Sequence, residues 1–162
     1  MSLRTVSRAC MTASLLTVLV LAAGASPVSA QGRAQAGVRI GANFDYDDVF
    51  LGGHLAAPIS SRLDIYPSFD IYFPDSGSRF ALSLDLRVRF PSTSDLQFYA
   101  GGGMNYLHRS EGDTDHGDVG GDLLGGFDAR LGRVRPFVEG KILLHDDTSF
   151  QILAGLNFPL GR

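Results

Sequence analysis

The segment RLDIYPSFDIYF, residues 62–73, alternates with almost no slip. Leu63, Ile65, Pro67, Phe69, Ile71 and Phe73 share one face; Asp64, Tyr66, Ser68, Asp70 and Tyr72 share the other. A period of two sustained over this length marks a β-strand with one apolar and one polar side. The pattern recurs to the end of the chain, with strands expected near 36–44, 50–60, 62–73, 79–90, 96–107, 118–131, 134–145 and 149–160. Their apolar faces carry no charged residue. Helical periodicity is absent, and no helices alternate with strands as a parallel sheet requires. An even number of neighbouring antiparallel strands can close without leaving a free edge. The expected fold is all-β: a closed, eight-stranded, antiparallel up-and-down barrel. What surrounds it depends on which face points out.

The first thirty residues are expected to lie outside that barrel. Arg4 and Arg8 precede the uncharged run ACMTASLLTVLVLAAGA (9–25), and VSA (28–30) supplies small residues where a signal peptidase reads. Residues 1–30 therefore read as a cleaved signal peptide and 31–162 as one barrel domain. Cys10, the only cysteine, precedes the apolar core of the leader, so the exported chain has no disulfide, thiolate or lipidated cysteine. Removing Arg4 and Arg8 leaves 12 basic and 17 acidic residues, a net charge of −5, which argues against a nucleic-acid partner.

The polar faces carry Arg39, Asp64, Asp70, Asp85, Arg87, Arg89, Asp122, Asp128, Arg130, Arg135, Glu139 and Lys141, six basic and six acidic residues. His54, Asn105, Gln151 and small residues such as Gly101, Gly103, Gly126 and Gly155 lie between them. A solvated exterior would be rich in Lys and Glu, yet residues 31–162 hold one lysine, Lys141, and two glutamates, Glu111 and Glu139. Glycine also weakens a solvent-facing strand without return. Inside a narrow barrel the same residues fit, because small ones leave room and balanced charges pair. Longer connections (45–48, 74–78, 108–118 and 145–149) alternate with shorter ones (60–61, 91–95 and 132–133), the layout of outer-membrane barrels, whose turns face the periplasm. Phe44, Phe73, Phe80, Tyr106 and Phe150 then form one outward aromatic band at the loop ends, and Phe90, Phe98, Phe127 and Phe158 a second at the turn ends. The apolar faces are expected to touch lipid. A soluble secreted barrel with an apolar ligand cavity is the opposite reading.

On these residues the chain resembles the small eight-stranded proteins of the outer-membrane β-barrel domain superfamily, the OmpA-barrel and OmpX-like type. The likeness covers nearly all of residues 35–160 and rests on pattern. It includes Gly155, Phe158 and Leu160, spaced like the terminal signal read by the barrel-assembly machinery; Leu160 replaces an aromatic, and Gly161 and Arg162 extend beyond it. The resemblance implies residence in the outer membrane of a Gram-negative-type bacterium, contact with outer-membrane lipid, and assembly-machinery help during biogenesis. It implies a structural, surface-interaction or envelope-integrity role with a lumen plugged by side chains, and no catalysis.

Few residues suggest chemistry, and none calls for a cofactor. His108 and Ser110 in HRSE (108–111) resemble the His-x-Ser pair of outer-membrane lipid A deacylases, which would make the chain a lipid A-modifying hydrolase. Their expected position at the start of the longest polar loop, 108–118, opposes this. His145, beside Asp146 and Asp147, is a similar short match. Asp45, Asp47, Asp48, Asp75, Glu111, Asp113, Asp115, Asp118, Asp146 and Asp147 make an acidic rim opposed only by Arg79 and Arg109. Divalent cations are its natural partners, with Asp113, Asp115 and Asp118 the candidate ligands, though solvated loops account for the same residues. His54 reads as a hydrogen-bonded luminal residue, and GGDLLGG (120–126) is no phosphate loop, since neither a helix nor a Lys-Ser/Thr pair follows.

Overall fold

The structure, a computed structural model, describes residues 33–111 and 114–161. The expected leader (1–30) and Asp113 lie outside the described residues, as does the side chain of Glu111. Eight strands follow one another: β1 (Gln35–Asn43), β2 (Asp48–Pro58), β3 (Leu63–Phe73), β4 (Ser78–Arg89), β5 (Leu96–Glu111), β6 (Thr114–Ala129), β7 (Arg135–Leu144) and β8 (Ser149–Pro159). Each pairs antiparallel with its chain neighbours, and β1 pairs with β8 to close the barrel. The closing seam sets Val38 against Leu156 and Ile40 against Ala154. Every backbone ladder is thus paired on both sides, which removes the exposed edge of an open sheet.

The eight expected strands are present, but the described residues of segment 108–118 are strand rather than loop. β5 and β6 run on as a paired hairpin through Leu107↔Asp118, Arg109↔His116 and Glu111↔Thr114. Polar composition hid these strand ends, because a hairpin standing beyond the apolar band has no oily face to reveal its period. Tyr106 accordingly does not end its strand; it sits five residues short of Glu111. Its ring still lies 6.3 Å from that of Phe80, so the two remain in one aromatic band.

The orientation is inside-out relative to a soluble barrel. Ile40, Leu84 and Met104 are 61%, 54% and 64% exposed, whereas Arg39, Asp85 and Glu139 are 1%, 0% and 0% exposed. Phe44 and Phe150 stack at 6.0 Å at the loop end, and Phe98 and Phe127 meet at 5.9 Å near the turn end. Phe73, Phe90 and Phe158 are also exposed on the outer surface.

The interior is less polar than the alternation suggests. Phe50, Tyr72, Ala81, Leu107, Phe137 and Leu153 form one buried apolar cluster, and Ala56, Tyr66, Tyr99 and Leu124 a second. Sequence reading assigned none of Phe50, Leu107, Leu124, Phe137 or Leu153 to the inner face. Where both faces are apolar, as at Val49–Phe50–Leu51, period two carries no contrast.

Inward glycines provide space for ions. A Cβ on Gly52 would collide with Asp70 Oδ1, and one on Gly103 with Asp85 Oδ1. Gly52→Val is expected to displace Asp70 from Arg39 and to cost at least about 3 kcal/mol, the scale of a broken buried pair. Gly53→Val, whose Cβ meets nothing closer than 3.6 Å, is expected to cost far less. Denaturant unfolding of the two variants in the same micelles makes the comparison.

Candidate functional site

Alternation along eight closed strands directs one side chain in two into the lumen, and three charged groupings result. Near the middle, Lys141 Nζ on β7 lies 2.9 Å from Asp85 Oδ2 on β4 and 2.9 Å from Asp122 Oδ2 on β6. Asn105 Nδ2 also donates to Asp122 Oδ2 at 3.3 Å. On another wall Arg39 grips Asp70 side-on, Nε to Oδ1 at 2.8 Å and Nη2 to Oδ2 at 2.6 Å, while Nη2 also donates to Ser68. Paired and hydrogen-bonded charges are the form in which ions tolerate a low-dielectric interior.

Toward the turn end, Arg87 lies between two aromatic rings, 4.3 Å from the centroid of Tyr66 and 4.4 Å from that of Tyr99. Its Nη2 donates to Asp64 Oδ2 at 3.3 Å, and Arg89 binds the other oxygen of the same carboxylate. Such a cation–π sandwich retains part of the solvation that burial removes. Glu139 is enclosed close by with both carboxylate oxygens unpartnered. His54 Nε2 meets Asn157 Oδ1 at 2.6 Å, and its ring packs edge-on to Phe137.

The twelve charged residues expected in the lumen do not all share that environment. Arg39, Asp64, Asp70, Asp85, Arg87, Asp122, Asp128, Glu139 and Lys141 are buried. Arg89 and Arg135 are half-buried at the turn end. Arg130 is exposed, because it follows the last residue of β6; only its guanidinium reaches back, donating to Gln97 Oε1.

The loop-end mouth opens on a cavity of about 650 Å³ lined by Tyr46, Arg109, His116, Asp118, His145, Asp146 and Asp147 among others. Tyr46 leans over it, held between Arg79 at 4.6 Å and Arg109 at 4.3 Å from its ring centroid. Part of the acidic rim is already engaged, with Asp48 2.5 Å from Arg79 and Asp45 Oδ2 accepting from the Phe150 amide. The two described candidate cation ligands are not brought together. On a strand, Asp115 and Asp118 point to opposite faces, Asp115 beside outward Ser110 and Asp118 beside inward Leu107. Among the described residues no group of three His, Cys, Asp or Glu side chains is placed to hold a metal.

The extended hairpin changes the setting of His108 and Ser110. Both lie on β5, on its outward face above the aromatic band, with Asp115 directly across from Ser110 on β6. His108 Nε2 is 3.9 Å from Asp115 Oδ1, its ring is 4.9 Å from that of Phe80, and its Nδ1 is enclosed without a partner. A His, a Ser and a carboxylate from the following strand are therefore neighbours on one surface. Sequence reading named the first two and missed Asp115 in this role, because it placed that residue in a loop.

No protein-family model and no curated protein matches the sequence. Solved structures do match its shape. The N-terminal β-barrel domain of Pseudomonas aeruginosa OprF superposes with a TM-score of 0.70 at 12% identity, covering 80% of this chain and 98% of that one. A de novo designed transmembrane β-barrel gives 0.61 at 18% identity, over 80% and 96%. Neisserial surface protein A gives 0.59 at 13% identity, over 79% and 95%. The chain thus has the closed eight-stranded barrel fold seen in small outer-membrane proteins.

Proposed function

We propose that this chain is an integral outer-membrane protein of a Gram-negative-type bacterium, exported by its N-terminal leader and inserted with the help of barrel-assembly machinery. In this reading it serves a structural, surface-interaction or envelope-integrity role, with a lumen plugged by its own side chains. The observation that carries the proposal is the uncharged apolar band around the outside of a closed barrel, bordered by aromatic rings at both ends. Water gives no reason to expose so much apolar surface, whereas hydrocarbon requires it. The Lys141 and Arg39 pairs and the two apolar clusters support the plug. The protein is expected in the outer-membrane fraction, migrating on detergent gels at different positions before and after boiling. Recovery in the aqueous fraction would refute the reading. In planar bilayers, stable large openings would contradict the plug.

A second reading, hydrolysis of a lipid ester, is favoured by the shared outward face of His108, Ser110 and Asp115. Asp115 would orient His108, which would take the Ser110 proton as the hydroxyl attacks an acyl carbonyl of outer-leaflet lipid; His108 would return that proton to the departing alkoxide as the ester C–O bond breaks, and water would then release the acyl group from Ser110. His108 and Ser110 make no hydrogen bond to each other in the structure, so a side-chain rotation must precede any proton transfer. If the enzyme exists, Ser110→Ala removes all change in lipid A acylation while leaving heat-modifiable migration intact. Identical lipid A profiles with and without the wild-type protein would exclude it.

A further inference from the structure

Charge is distributed along the barrel axis in a way that neither reading uses. The loop end is acidic. The turn-end mouth holds a cavity of about 540 Å³ whose charged lining consists of Arg33, Arg62, Arg89, Arg130 and Arg135, with no carboxylate. Below it lie Arg87 and the carboxylates of Asp64, Asp128 and Glu139, and on the outer rim the charge of Arg133 is balanced by that of Asp95. The mouth therefore carries an excess of three positive charges, in a chain whose net charge is −3.

Part of this donor capacity is unspent. Asp64 is occupied by Arg87 and Arg89, yet Arg89 Nε and Arg135 Nε are enclosed with no hydrogen-bond partner. Guanidinium groups brought together with fewer carboxylates than cations repel one another, and enclosed N–H groups without acceptors are costly. An anion relieves both at once. A phosphate group suits the site better than a carboxylate, because its oxygens can accept from several guanidinium forks arranged around it. The volume is many times the roughly 30 Å³ share of one water, so a phosphate-bearing group fits with its hydration.

We propose that the turn-end mouth is a binding site for a multiply charged phosphate group, such as a pyrophosphate or phosphate ester. The site rests on the barrel fold alone; only the compartment it faces, the periplasm, depends on the membrane reading. The group arrives either free or on a phospholipid headgroup, and the recognition chemistry is the same.

The test uses the folded protein in uncharged detergent micelles, titrated calorimetrically with inorganic pyrophosphate, inorganic phosphate and acetate. Saturable pyrophosphate binding is expected, weaker for phosphate and weakest for acetate. Arg62→Gln/Arg130→Gln, both exposed positions, should weaken it at least tenfold. Arg79→Gln/Arg109→Gln at the opposite mouth should leave it within twofold, and heat-modifiable migration checks that both variants are folded. Absence of saturable wild-type binding, or equal loss in the two double variants, overturns the site. In vesicles, competition by phosphatidic acid but not phosphatidylcholine assigns the site to a lipid headgroup, and lack of competition assigns it to a free anion; either supports the site.

Discussion

Leu84→Arg is expected to destabilise the protein folded in lipid vesicles by about 2–4 kcal/mol, the cost of a cation near the bilayer midplane on a barrel's outer face. Leu84 stands at the middle of β4, between Pro67 and Met104 of the adjoining strands, and points away from the lumen. In a water-soluble protein an exposed leucine accepts arginine within about 0.5 kcal/mol, so the two readings of the surface differ severalfold in one measurement. Denaturant titration of wild type and variant in the same vesicles provides it. Leu156→Arg, nearer the turn end of β8, should cost less, because the penalty falls toward the interface.

The second large effect belongs to the interior. Lys141→Met is expected to cost about 3–5 kcal/mol, because it leaves Asp85 and Asp122 facing each other without their shared cation. Burial makes this pair dangerous: Asp85 and Asp122 each have one further carboxylate oxygen with no hydrogen-bond partner. Adding Asp85→Asn and Asp122→Asn to Lys141→Met should recover most of the loss, since neutral amides need no counter-charge. If the single and triple variants unfold at the same denaturant concentration, the cost comes from packing rather than from the unpaired carboxylates.

How far the sequence reveals the barrel depends on contrast between faces. Along Leu63–Phe73 each apolar residue is followed by a polar one, and direction and face can be read without a structure. In β2 the run Val49–Phe50–Leu51 is apolar throughout, so Phe50 gives no sign that it points inward to Tyr72. The outer half of the β5–β6 hairpin fails for the opposite reason. Both of its faces are polar, and only the pairing register reveals strands there. The same failure concealed the neighbourhood of His108, Ser110 and Asp115, since residues thought to lie in a loop have no shared face. The ion pairs were legible only as a balance of charge. That Lys141 would take both Asp85 and Asp122 depends on how far one strand is staggered against another around the barrel, which no single strand encodes.

The glycines show the same division. Alternation places Gly52 and Gly103 on the inner face, but their purpose becomes visible only when Asp70 and Asp85 are seen to occupy the space a Cβ would fill. Small residues and large ions on neighbouring strands are one packing solution in which each makes sense of the other.

Because Cys10 is the only cysteine and lies in the expected leader, single cysteines can be placed at will in the barrel region. The most direct test labels Leu84→Cys, Ile152→Cys and Asn105→Cys with an environment-sensitive fluorophore in vesicles containing lipids spin-labelled at mid-chain. Strong quenching at 84 and 152 with little at 105 is predicted. Quenching absent at 84 and 152, with both labels reporting bulk water, would mean that no hydrocarbon touches the apolar face.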